Sequence, residues 1–346
     1  MKTPSKITQL SRPVSGRSRL LNGLIKLVVL LMLTYVIYQQ IVAREQIEDI
    51  WAMFVRQWQQ APTAYLLLTI LLIPLNWAFE TSKWQALIKN FAPLSFGKAY
   101  QAVLSGVTLS IFTPNRIGEY GGRILFLPAE HHWKGVFATL VGSFAQLLVL
   151  IGLGIIGLGA FAARYLALEG YLLWGVLFIG ICFSGLMLFC FYNISLVIPL
   201  AKKLPFANYL RRAVGSVSVL RQYDRPTLSR TLAFALARYL IYSLQYYLLL
   251  QFFGLSLPLW EGLAGIATIF LLQTSIPLPP FLGLVVRGSL ALHIWGFYGF
   301  NELAVLTSTF GLWILNLILP ALFGTIFIFN TNVVQSFGYN DDSQDS

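Results

Sequence analysis

Thr113-Pro114-Asn115-Arg116-Ile117-Gly118-Glu119-Tyr120-Gly121-Gly122-Arg123 places three charges and three glycines inside sequence that is otherwise apolar enough for a bilayer. A charge at membrane depth costs roughly 2.5–3.5 kcal/mol even on the lenient insertion scale, so a stretch that keeps three of them has a strong reason to do so. Its flanks are informative too. The apolar segments 99–112 and 117–128 are each too short to cross a bilayer core, which needs about 20 residues of helix. Lys98 and Lys134 bracket the pair, and basic residues favour the cytoplasmic side. The segment therefore reads as a re-entrant hairpin, 99–130, that enters from the cytoplasm, breaks at Thr113–Asn115 and returns.

Composition agrees. Of 346 residues, 57% are hydrophobic and 11% charged, against about 25% charged in soluble domains; mean hydropathy is +0.71. This excludes a sizeable soluble catalytic domain and predicts an all-α, polytopic integral membrane protein. The net charge of +11 suits cytoplasmic loops facing anionic headgroups rather than nucleic acid. Cys182 and Cys190 share one apolar run, so neither a disulfide framework nor a metal site is expected, and no cofactor is implied.

The remaining segments order themselves around the hairpin. A basic cytoplasmic tail, 1–20, precedes a signal-anchor span and interfacial helix, 21–61. A first repeat, 62–161, holds span 62–82, the hairpin and span 135–161. A linking span and basic cytoplasmic loop occupy 162–230. A second repeat, 231–330, holds span 231–253, a second hairpin over 259–298 broken at Pro277-Leu278-Pro279-Pro280, and span 303–329. An acidic tail, 331–346, is expected to be disordered. The flanks of the second hairpin fall outside, so the two hairpins enter from opposite faces. The expectation is six full spans and two oppositely oriented re-entrant hairpins in an inverted repeat, both termini cytoplasmic, in a bacterial plasma membrane. Broken apolar segments at matching positions of two halves point to a transporter site near the midplane, because non-helical backbone at that depth needs cover from protein or a watered cavity.

Read as helix, 116–127 puts Arg116, Glu119, Tyr120 and Arg123 on one stripe. Glu119 then neutralises one arginine. Thr113 and Pro114 suit a helix start, whose free N–H groups, with Asn115 and Arg116, would hold an anion such as phosphate. Gly118, Gly121 and Gly122 would admit a close neighbour. Arg238, Tyr242 and Gln245 share a face of span 231–253, and Arg287 follows the second break with no acidic neighbour in sequence. Glu80 lies three residues before Lys83. The alternative is structural: an Arg–Glu–Arg network that locks the hairpin, an interfacial Glu80–Lys83 pair, and an Arg238 that snorkels. His131, His132 and His293 lack metal-ligand spacing, and no Walker loop, GxGxxG or Ser–His–Asp order is present.

Thr113-Pro-Asn-Arg-Ile-Gly-Glu119 resembles the TPxRxGE signature of the flippase-like membrane family, the transmembrane region of lysylphosphatidylglycerol synthases. The likeness extends to the Trp-bearing span end Glu80–Trp84, the late Pro-rich break with Gly283, and the final Leu319-Pro-Ala-Leu-Phe-Gly324. The later motif departs from the family form P-x-P-G-G-x-G plus glutamate: Pro280 and Phe281 replace glycines, and Val286 stands where the acid is expected. The resemblance implies a lipid translocator with opposed hairpins and carries over Thr113, Pro114, Arg116, Gly118 and Glu119 as signature residues. A soluble aminoacyl-transferase domain is not expected. The implied partner is an anionic phospholipid or a polyprenyl-phosphate lipid, with a homo-oligomer or an envelope enzyme as a further possible associate. The competing expectation is a non-catalytic accessory subunit of an envelope lipid or glycan pathway. A membrane enzyme acting on polyprenyl lipids has only Glu80 and Glu119 to offer as acid or base.

Overall fold

The structure, a computed structural model, describes residues 16–38, 47–111, 113, 116–166, 169–196, 198–199, 215–274 and 280–336. Most of the basic tail, most of the basic loop, Pro114, Asn115, Pro277, Pro279 and the end of the acidic tail lie outside the described residues. The described residues are helical, with no strand among them.

The long helices are α1 (Gly16–Ile37), α2 (Ile47–Gln60), α3 (Ala64–Ile88), α4 (Phe96–Ser110), α5 (Gly118–Ile124), α6 (His132–Tyr165), α7 (Gly170–Tyr192), α8 (Arg225–Phe252), α9 (Leu259–Thr274), α10 (Pro280–Gly296), α11 (Glu302–Trp313) and α12 (Leu319–Phe329), with a π-helical segment, Ile314–Ile318, joining the last two. Four stretches are long and apolar enough to cross a membrane: Ala64–Ile88, Ala129–Tyr165, Gly170–Tyr192 and Glu302–Phe329. The chain is a multi-pass membrane protein. α8 is 28 residues long but carries Arg225, Arg230 and Arg238, which lower its hydropathy. α2 is amphipathic as expected: Trp51 and Trp58 are exposed, while Phe54 packs against Phe252 with ring centroids 6.3 Å apart.

Packing pairs helices of the first half with helices of the second. α3 and α8 form the central pair. They run antiparallel, because Thr69 meets Gln245 (Nε2 to carbonyl oxygen, 3.0 Å) and Glu80 meets Arg238 (2.8 Å). α4 lies antiparallel to α12: Thr108 Oγ1 donates to the Ala321 carbonyl at 2.8 Å, and Gly324 sits on the Leu104 carbonyl where any Cβ would collide. α9 lies antiparallel to α6 in the same manner, with Gly157 against Ala264 and Ala267, and Arg164 bridging Glu261 at 3.0 Å. Each half also contains a helical hairpin. α5 doubles back on α4, with Gly122 against Gly106; α10 doubles back on α9, with Arg287 bonded to Gln273 (3.1 Å) and Trp295 over Gly265. Thus the hairpin of each half packs on the last long helix of the other half.

Helix α1 meets the end of α12 and the residues that follow it. Lys26 Nζ donates to the Phe329 carbonyl at 2.6 Å, and Asn22 Oδ1 accepts from the Val333 N–H at 3.0 Å. α7 stands at the periphery. Its residues are apolar on every side, with only Phe191 buried.

Candidate functional site

The centre of the charge network is Glu80. It sits on α3 between α5, α6 and α8, and its side chain is 4% exposed. Its two oxygens take three cations: Lys83 Nζ at 2.6 Å, Arg123 Nη2 at 2.8 Å and Arg238 Nη1 at 2.8 Å. Arg123 also pairs with Glu119, one turn back on α5, and Glu119 reaches Arg116 at 3.5 Å. A continuous line of alternating charge therefore runs from Arg116, 49% exposed, through Glu119 and Arg123 to Glu80, Lys83 and Arg238. Two carboxylates face four cations. A buried ion pair survives desolvation only with good geometry and further hydrogen bonds; part of that support is present, while Arg123 Nε and Arg238 Nε are buried without a hydrogen-bond partner among the described residues. Lys83 donates to Gln146 Oε1 (3.4 Å), whose amide donates to the Ala235 carbonyl (3.3 Å). The Arg238 guanidinium lies 4.9 Å from the Trp77 ring centroid and Arg123 lies 5.8 Å from that of Trp84, cation–π placements that strengthen when desolvated. Trp84 Nε1 donates to Thr139 Oγ1 at 3.1 Å.

Local structure at the hairpin tip differs from the periodic reading. The helix covers Gly118–Ile124 rather than 116–127, and Arg116 has φ of 59°, the only non-glycine positive φ among the described residues. That left-handed turn costs roughly 1–2 kcal/mol. It takes Arg116 off the stripe and turns the chain so that Thr113 Oγ1 accepts the Gly118 N–H at 2.6 Å. Thr113 thus satisfies the start of α5, but from five residues back; the N-cap position itself is Ile117. Gly118 rests on the Leu109 carbonyl and Gly122 on Gly106, both close approaches that a side chain would block, whereas Gly121 faces open space.

The expected site residues differ in where the structure places them. Arg123 and Arg238 are gathered with Glu80 and Glu119 into internal ion pairs, so neither presents a free guanidinium to a cavity; Arg123 is 1% exposed. Glu80 and Lys83 form a buried hub rather than an interfacial pair. Arg116 and Tyr120 stay accessible, Arg116 with Glu119 as its carboxylate partner. Arg287 is separate from this line. It donates from Nε to Gln273 Oε1 (3.1 Å) and from Nη1 to the Tyr242 hydroxyl (3.3 Å), and no carboxylate pairs with it among the described residues. Gln245 is buried and serves helix pairing by donating to the Thr69 carbonyl. Pro280 and Gly283 lie in the first turn of α10.

Several buried polar residues, of which Gln146 touches the charge network, are not marked out by the sequence motifs. Gln146, Asn76 and Asn316 are polar residues within apolar helices, and Asn76 Nδ2 donates to Asn316 Oδ1 at 2.9 Å across 240 residues. An amide in the middle of an apolar run is itself a signal for a helix–helix contact.

A family model for the lysylphosphatidylglycerol synthase TM region matches residues 23–324. Comparison with curated proteins returns no match. The match spans both hairpins, the α3–α8 and α6–α9 pairs and the whole charge line. The chain belongs to the lysylphosphatidylglycerol synthase transmembrane-region family.

Proposed function

We propose that this protein moves a phosphate-bearing lipid, a phospholipid or a polyprenyl-phosphate carrier, between the leaflets of a bacterial plasma membrane. The observation that carries this reading is the charge line itself. Two carboxylates among four cations leave an excess of two positive charges in apolar surroundings, and the line ends at the half-exposed Arg116. An anionic headgroup would offset that excess. A guanidinium grips phosphate in a bidentate manner, and Glu119 holds Arg116 when the site is empty. Arg287, with only neutral partners, would be the matching cation of the second half.

In this reading α4–α5 and α9–α10 are re-entrant hairpins that enter from opposite faces, among six full spans with both termini cytoplasmic. The exchange of partners between halves supports an inverted repeat: α4 on α12 is matched by α9 on α6, and α3 pairs with α8. Inverted repeats with broken helices suit alternating access around a fixed site. The antiparallel contact of α1 with the end of α12 agrees with two termini on one side.

The test is reconstitution in liposomes with fluorescent phosphatidylglycerol and a membrane-impermeant quencher. Wild type should expose inner-leaflet lipid to the quencher, and Arg116→Ala, equally folded, should not. Equal rates would remove Arg116 from the site. A second reading, an accessory subunit with purely structural charges, draws support from the pairing of Arg123 and Arg238 with carboxylates. It expects Arg116→Lys to keep function, whereas bidentate recognition of phosphate expects that variant to fold and lose transport.

A further inference from the structure

A groove of about 510 Å³ lies where the last turns of α3 meet the first turns of α8. This is within the usual range for a small-molecule site, roughly 300–1,000 Å³. Lys89 and Arg230 line it together with Gln85, Leu94 and Phe234. Both cations are exposed, and neither has an ion-pair partner among the described residues. Their placement follows from the antiparallel register. Glu80 meets Arg238, so eight residues back on α8 and about as many forward on α3 bring Arg230 and Lys89 to one level. At 1.5 Å per residue that level is about 12 Å from the charge network. Lys89 caps the C-terminus of α3, where a cation is favoured by the helix dipole. Phe234 lies one turn deeper on α8, tilted against Phe79 at 6.4 Å between centroids. Gln85 donates to the Leu94 carbonyl at 2.8 Å, which fixes the loop that forms the second wall.

Two unpaired cations at the end of a membrane-length helix, above an apolar wall that runs toward the middle, complement one molecule: a lipid with a charged head and an acyl chain. We infer that this groove holds one anionic phospholipid, its phosphate between Lys89 and Arg230 and its chain along Phe234 and Leu94. From there the next cation inward is Arg238, two turns on, partly buried and paired with Glu80. The groove is thus a waiting place from which a headgroup reaches the network; this last step rests on the transport reading above, the binding itself does not. Free phosphate would satisfy the two cations equally but would leave the apolar wall uncovered.

The experiment uses the full chain in nanodiscs that contain photoactivatable phosphatidylglycerol or photoactivatable phosphatidylcholine, with cross-linked peptides mapped by mass spectrometry. Phosphatidylglycerol should label peptides bearing Phe234 and Leu94. Lys89→Gln and Arg230→Gln should lower that labelling by about fivefold for each charge removed, whereas Lys98→Gln, a basic residue outside the groove, should leave it unchanged. Equal labelling by phosphatidylcholine, or labelling indifferent to both substitutions, would reduce the groove to ordinary lipid contact and overturn the site. Loss of labelling on adding millimolar inorganic phosphate, at constant ionic strength, would assign the cations to free phosphate and overturn it too. Liposome transport by wild type separates the two claims. Charge-dependent labelling without transport keeps the groove and removes the translocator; transport with charge-independent labelling does the reverse.

Discussion

Glu80 is the residue on which most of the buried charge depends. Remove its charge and Lys83, Arg123 and Arg238 lose their common partner in a site closed to water. Breaking one side of a buried ion pair costs about 3–5 kcal/mol, so Glu80→Gln should lower unfolding free energy in micelles by about that amount, measured by denaturant titration. Arg116 predicts the opposite balance. Its backbone sits in the left-handed region, where glycine is at home, and its exposed contact with Glu119 is the kind of ion pair worth at most about 1 kcal/mol. Arg116→Gly should therefore leave thermal stability equal or raised by up to about 1 kcal/mol, while liposome transport is lost. A stable, active Arg116→Gly protein would make the Arg116 guanidinium irrelevant to function.

The helices show how far pattern alone reaches. The chain reversal between α4 and α5 was readable because two apolar runs were too short to span and the break carried charge. The extent of its second arm was not. Periodicity puts Arg116, Glu119 and Arg123 on one face; that spacing holds for Glu119 and Arg123, yet Arg116 leaves the helix at a turn set by Gly118 seating on the Leu109 carbonyl and by the Thr113 bond. Both are contacts between arms, invisible to a linear repeat. Close seating also makes the arms sensitive: Gly122→Leu places a side chain into Gly106 and should cost at least about 1–3 kcal/mol, read as a lowered melting temperature, whereas Gly121→Ala, facing open space, should be tolerated. The Asn76–Asn316 pair tests interhelical bonding. A double-mutant cycle with alanine should give coupling of about 0.6 kcal/mol, the usual size in membrane helices. At the start of α8, Asp224 accepts from Thr227, and these hydrogen bonds hold its carboxyl below the usual range. The resulting stabilisation is complete at neutral pH and fades as pH falls through the lowered value. Asp224→Ala should flatten that acid limb of the melting curve.

The assembled bundle obeys a rule that the chain order hinted at and packing completes: each hairpin rests on the other half. Cysteines placed at Gly154 and Leu271, in a background with Cys182→Ser and Cys190→Ser, should cross-link on mild oxidation, since those positions adjoin across α6 and α9. A failure would deny the exchanged packing. The breaks between α4 and α5 and between α9 and α10 were legible in the sequence. The convergence of Glu80, Arg123 and Arg238, 158 residues apart at the extreme, was not, because nothing along a chain says which of several buried cations will share a carboxylate. The antiparallel α3–α8 pair has one mechanical corollary. It is fastened near one end by a carboxylate shared among three cations and near the other by Gln245 on the Thr69 backbone. A rod pinned twice does not bend easily; it behaves as an axle. Any rocking must then be carried by the parts slung from it, α4–α5 riding on α12 and α9–α10 riding on α6, and cross-linking α3 to α8 should leave turnover intact while cross-linking either hairpin to its cradle stops it.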